Sequence, residues 1–205
     1  MGRCVTWARC ANPSQYEFGE ALQGRQQYAP AGTLQWNRYE LERCYNQRKS
    51  MSDNVFERVK ERLAGHGIGH EVLHHTPVYT SEEAAQIRGT PLASGAKALI
   101  CKIDDRFVMI VLPADRKLDS KSVRKSQGAK SLRFASREEV ERITGLAPGS
   151  IPPFGSLFGL ETWCDQRLGE HERINFNAGD HSISISLRHA DYLAVEQPKL
   201  GLFAD

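Results

Sequence analysis

Three glycines and three prolines crowd into the eleven residues Gly145-Leu-Ala-Pro-Gly-Ser-Ile-Pro-Pro-Phe-Gly155. No helix or central strand survives that density. Proline fixes φ and offers no backbone N–H, while glycine opens the φ > 0 region. The stretch is therefore a stiff, sharply turned loop. Within it, Gly149, Ser150 and Ile151 are expected to leave their amides free. Such amides hold a carbonyl oxygen or a developing oxyanion without reorganising. A rigid connector between helix and strand is the competing reading, since most Pro/Gly clusters are punctuation.

Around that loop the chain has the proportions of one domain with an appendage. At 205 residues it can bury a sizeable core. No apolar run approaches the ~20 residues of a membrane span, and the first residues lack the pattern of a secretory signal. Five cysteines (Cys4, Cys10, Cys44, Cys101 and Cys164) form no Cys-x-x-Cys pair. That favours reduced thiols and a cytoplasmic location over a zinc ribbon or disulfide framework. Cys101 and Cys164 sit among strand residues and read as buried fillers. The net charge of +2 confines any nucleic-acid contact to a local patch.

Residues 1–50 carry aromatics among Gln, Asn, Gly and Arg with little apolar periodicity, and read as an N-terminal extension with a short helix near Leu34 to Arg48. The domain itself is expected over 51–205, with Ser52 or Asp53 capping its first helix. Val55, Phe56, Val59 and Leu63 mark one face of that helix. A strand follows near His70 to His75, then a helix opened by Ser81-Glu82-Glu83 and closed by Gly89. Strands are expected at Ala98 to Ile103 and Phe107 to Leu112. Asp119 caps a short helix carrying Val123, and Ser136 with Glu139 reads as a capping box. Strands near Glu161 to Cys164, Arg173 to Asn177 and Ser182 to Leu187 precede a last helix near Ala190. The pattern predicts an α+β fold.

Three stretches carry the chemistry. Besides the loop, Ala93-Ser-Gly-Ala-Lys97-Ala-Leu-Ile-Cys-Lys102 sets a lysine at the mouth of an apolar strand, and Asn175-Phe-Asn177-Ala-Gly179-Asp180-His181-Ser-Ile183 makes a glycine turn. In this order and spacing they resemble the YbaK family, related to the editing domain inserted in bacterial prolyl-tRNA synthetases, over roughly Ser52 to Pro198. The resemblance implies a mixed, strongly curved, barrel-like sheet with surrounding helices. It also implies a trans-editing deacylase that hydrolyses the ester of mischarged tRNA. The substrate it points to is tRNA for proline carrying Ala, Ser, Cys or Thr. Prolyl-tRNA synthetase is a further candidate partner.

By the same resemblance Lys97 lies in the active site, where an ammonium offsets charge on the ester or holds the terminal phosphate or ribose. Gly149, Ser150 and Ile151 supply the oxyanion amides. Pro152, Pro153, Phe154, Gly179, Asp180 and His181 are the expected substrate-binding residues, Gly179 being also what a structural turn needs, and Asn177 bonds either the substrate or its own turn. Family mechanisms draw on the ribose hydroxyl of the tRNA, which accords with the lack of a Ser-His-Asp set. A catalytically silent tRNA-binding protein on the same fold, and a hydrolase of another small ester, remain as alternatives.

Two further clusters stand out. His66, His70 and His74 recur every four residues, but interleaved glycines break the helix a ligand set would need, so no metal or other cofactor is expected. Lys117, Lys121, Arg124, Lys125, Lys130 and Arg133 form the densest basic run, with Asp119 its only acid. Lys121, Arg124, Lys125 and Lys130 are the expected phosphate contacts of a bound tRNA.

Overall fold

The computed structural model describes residues 54–205. The N-terminal extension, its short helix and the cap at Ser52 or Asp53 lie outside the described residues. The order is α1 (54–65), β1 (Glu71–His74), α2 (Ser81–Arg88), β2 (Ala96–Ile103), β3 (Arg106–Pro113), α3 (Ser120–Gln127), β4 (Leu132–Phe134), α4 (Arg137–Thr144), β5 (Glu161–Asp165), β6 (Arg173–Asn177), β7 (Ile183–Arg188), α5 (His189–Glu196) and β8 (Lys199–Gly201).

The centre of the molecule is β3, which is buried on both faces because its apolar run is continuous rather than alternating. Met109 and Val111 face one core with α1, α4, α5 and the β6–β7 strands. Val108, Ile110 and Leu112 face a second, smaller core with Val123 of α3, Trp163 and Phe203. Strand β2 pairs antiparallel with β3 in full register, Lys97 opposite Leu112. Strand β5 lies parallel on the other side of β3, and β8 parallel to β5.

The α+β expectation holds, but the described strands form two open sheets where one barrel-like sheet was expected. One has the order β4-β2-β3-β5-β8, the other β1-β7-β6. They meet at a single isolated bridge, Gly95 with Asn175. Sequence periodicity marks strands but not which of them share a ladder. The three-residue strands β4 and β8 are too short to carry a period and are defined by their partners.

Local signals did specify the helix ends. Thr80 caps α2 and Ser136 caps α4, each with a reciprocal Glu three residues on. Asp119 caps α3 by accepting from the Ser122 N–H. Gly89, Gly128 and Gly145 end these helices in the left-handed region. Among the described residues no helix is long and apolar enough to cross a membrane.

Candidate active site

The Pro/Gly loop is held from beneath. Phe154 is fully buried, edge-on to both Phe176 and Tyr192, and the Tyr192 hydroxyl donates to the Pro153 carbonyl at 2.9 Å. Pro152 and Pro153 are buried too. All three residues were expected to line the pocket, and the structure places them in the core under it instead. An apolar Pro-Pro-Phe run serves either place, and only the tertiary packing decides.

Above this anchor, Gly149 turns at φ 92°, a region open chiefly to glycine. A Cβ there would lie 3.1 Å from Cε1 of His181. The Gly149 carbonyl accepts from Asn177 Nδ2 at 2.9 Å, and the Ser150 carbonyl accepts from the Gly179 N–H at 2.8 Å. The loop is thus stitched to the turn after β6. Of the three amides expected free, that of Ser150 is taken: it donates to the Ala147 carbonyl at 3.2 Å, closing a tight turn, and the Ser150 hydroxyl donates to the same oxygen. Among the described residues the N–H groups of Gly149 and Ile151 have no acceptor.

Gly149 and Ile151 line a cleft of about 350 Å³ that also takes in Lys97, Asn177 and Arg88. Its walls are mostly apolar, with Ala84, Ala98, Ile100 and Val140 among them, and no Asp or Glu lines it. Lys97 is the second residue of β2, inside the strand rather than ahead of it. Its ammonium donates to the Arg116 carbonyl at 2.6 Å and the Ala114 carbonyl at 3.4 Å. Half-burial lowers its pKa, an effect opposed by the charges of Asp115, Glu82 and Asp205.

His181 packs on Tyr79, ring centroids 4.8 Å apart, with Nδ1 3.0 Å from the Val78 carbonyl. A carbonyl only accepts, so Nδ1 carries the proton and Nε2 of the neutral ring is an acceptor. Burial lowers the pKa of this imidazole, against the Val78 bond and Asp180. The Asp180 carboxylate accepts from the backbone and hydroxyl of Ser182, so it shapes its own turn. Of the residues predicted from sequence, Lys97, Gly149, Ile151 and Asn177 line the cleft. His181 and Gly179 brace the loop, while Asp180, Pro152, Pro153 and Phe154 stand back from it.

Arg88 escaped the sequence reading. As the basic residue in the last turn of α2 it looks like an ordinary complement to the helix dipole. Its Nε donates to Ser184 Oγ at 2.8 Å and its Nη2 to Asn177 Oδ1. Ser184 of β7 is therefore buried under α2, and His75 Nε2 also lies 2.7 Å from Ser184 Oγ.

The basic run sits apart from the cleft lining. Lys121, Arg124 and Lys125 are exposed on α3 and Lys130 in the turn after it. Arg133 is drawn off by a two-pronged pair with Glu139 at 2.6 and 2.7 Å. The histidines at 66, 70 and 74 do not share a helix, because α1 ends at 65. Cys101 and Cys164 are buried and their thiols pushed up to about 12 by burial, which leaves them unreactive as nucleophiles.

Two amides of fixed direction beside a cleft that carries Lys97 and Arg88 make an arrangement suited to polarising a carbonyl oxygen. Residues 75–195 match the model of the aminoacyl-tRNA editing domain, and the chain belongs to that family, as an aminoacyl-tRNA deacylase. It is 36% identical over 152 residues to the multifunctional Ser/Thr-tRNA deacylase ProXp-y of Escherichia coli, covering 72% of this chain and 91% of that one. It is 34% identical over 126 residues to a proline–tRNA ligase of Bacillus licheniformis, of which it spans 22%. A solved structure of a proposed trans-editing enzyme for prolyl tRNA synthetase superposes with a TM-score of 0.66 at 24% identity, over 74% of this chain and 97% of that one.

Proposed function

We propose that this deacylase acts in trans on free mischarged tRNA and removes a small or hydroxylated amino acid, serine and threonine foremost, with tRNA for proline among its substrates. The observation that carries the reading is the cleft itself: cationic, free of carboxylates, and edged by the unpaired amides of Gly149 and Ile151. The ester carbonyl oxygen is bound by those two amides. Lys97 keeps one N–H beyond its two carbonyl partners and offsets the negative charge that develops there.

Water adds to the ester carbon and the bond to the ribose oxygen breaks. The products are the free amino acid and a tRNA with its terminal hydroxyl restored. The neighbouring ribose hydroxyl relays the proton, which accords with a cleft that offers no general-base carboxylate. His181, neutral and fixed by Val78, holds Gly149 in place and bounds the amino-acid pocket. The exposed cations of α3, together with Lys130, receive phosphates from the acceptor stem.

Support for the substrate class comes from the relatives' names, which specify Ser/Thr-tRNA and prolyl-tRNA editing. The test is a panel of tRNAs charged with Ala, Ser, Cys, Thr or Pro, on tRNA for proline and on each amino acid's own tRNA. Rapid release of Ser and Thr with Pro retained is the expected result. No release from any member would leave a tRNA-binding protein without catalysis.

A further inference from the structure

Arg88 is a half-buried cation that no carboxylate answers among the described residues; Arg58, Arg124 and Arg142, which also lack such a partner there, are exposed. Among the described residues, Arg62, Arg106, Arg133, Arg137, Arg167, Arg173 and Arg188 each pair with a carboxylate. Arg88 pairs with none. Its two partners, Ser184 Oγ and Asn177 Oδ1, are neutral. Its pKa falls to about 10, and burial is the sole cause, with no carboxylate near enough to oppose it. Lys97, the other cation of the cleft, has Asp115, Glu82 and Asp205 acting on it.

Burying a guanidinium without an anion is costly. Here the guanidinium is also oriented in advance. Nε and one N–H of Nη2 are taken, and Nη1 has no acceptor among the described residues. A flat, pre-set fork of donors suits phosphate oxygens better than a single hydroxyl. Arg88 lies among the residues lining the same cleft as Gly149 and Lys97, which no acid lines.

We propose that Arg88 is the anchor for a phosphodiester of the substrate, the one on the 5′ side of the terminal nucleoside that carries the ester. This assignment rests on the deacylase reading above and adds a named ligand for a residue that reading leaves idle. It also separates two tasks: Arg88 holds the backbone of the acceptor end, and Lys97 faces the reacting ester.

The test varies the substrate and the residue together. Seryl-adenosine esterified on its ribose is compared with the same compound bearing a 5′-phosphate, and alanyl versions of both are run alongside. Each is given to the wild-type protein, Arg88→Gln and Arg88→Lys. The expected result is a fall in kcat/KM of about thirtyfold for Arg88→Gln on the phosphorylated esters, the size of one lost charge-assisted contact. On the unphosphorylated esters the fall is less than about threefold, and Arg88→Lys recovers part of the loss.

An equal loss on all four esters would overturn the proposal and make Arg88 a support for Asn177 and Gly149. A loss that follows the seryl hydroxyl rather than the phosphate would overturn it in favour of side-chain reading. Titration calorimetry with 5′-AMP and with adenosine separates this idea from the deacylase reading. Wild-type protein that deacylates tRNA but binds AMP no better than adenosine sinks the anchor and leaves the activity standing. Preference for AMP, lost in Arg88→Gln, is the result expected beside a loss confined to the phosphorylated esters. If Arg88→Gln melts early, the wild-type AMP preference and Arg88→Lys carry the decision.

Discussion

Replacing Gly149 by alanine tests the central loop with one methyl group. The residue sits at φ 92°, where a side chain costs about 1–3 kcal/mol. The new Cβ would also stand 3.1 Å from Cε1 of His181, inside an ordinary carbon contact of roughly 3.5–4.0 Å. The ring cannot retreat freely, because Nδ1 is held to the Val78 carbonyl and the ring packs, tilted, on Tyr79. A loss near 2 kcal/mol in a domain of this size lowers the melting temperature by roughly 4–8 °C. The amides of Gly149 and Ile151 shift with the loop, so single-turnover deacylation is expected to fall by about tenfold or more. Gly128→Ala is the control. It has φ 62° and open space around its Cβ, so it should lose stability without losing turnover. Thermal melts and single-turnover release of labelled serine from Ser-tRNA read both effects. If Gly149→Ala melts like the wild type, or loses stability while keeping full turnover, the link from backbone angle to His181 to catalysis is wrong.

Other outcomes follow from the same geometry. Lys97→Ala should leave the melt near that of the wild type and cut turnover by about two orders of magnitude, as loss of one charge-stabilising contact does; unchanged turnover removes Lys97 from the mechanism. Reversing Lys121, Arg124 and Lys125 to glutamate should weaken tRNA binding and flatten its salt dependence without moving the melt, because all three lie in water on α3. His181 has a pKa lowered from 6.5 by burial. Just below pH 6.5 the unfolded chain therefore binds more protons than the folded one, and stability falls as pH drops through that window. In His181→Gln this part of the pH–stability slope should vanish, as melts between about pH 5 and 7.5 would reveal.

How much of this was legible beforehand depended on how local the cause was. The caps at Ser136 and Asp119 are decided within four residues, and both were read correctly. The apolar runs of β2 and β3 announced a buried hairpin, and the Pro/Gly loop announced itself. Ser150 was misjudged because its amide turns back on Ala147, a choice between two turn geometries that composition does not separate. Phe154 and its two prolines looked the same whether floor or wall. Arg88 was invisible for a different reason: its meaning comes from Ser184 and Asn177, about ninety residues away in the chain. Nothing in Gln86-Ile87-Arg88 says that the end of α2 will be pressed against a sheet.

The strand order of the smaller sheet also has a consequence for how the protein is born. Among the described residues strand β1 pairs only with β7, through Glu71–Ser186 to His74–Ile183, and β7 also pairs with β6. During synthesis β1 therefore leaves the ribosome more than a hundred residues ahead of the strand that completes it. Until then its edge, with Val72 and Leu73, has no ladder partner from its own sheet. The same late strand delivers Ser184 to Arg88. A chain that stops short of residue 183 thus lacks both the ladder partner of β1 and the hydroxyl that orients Arg88.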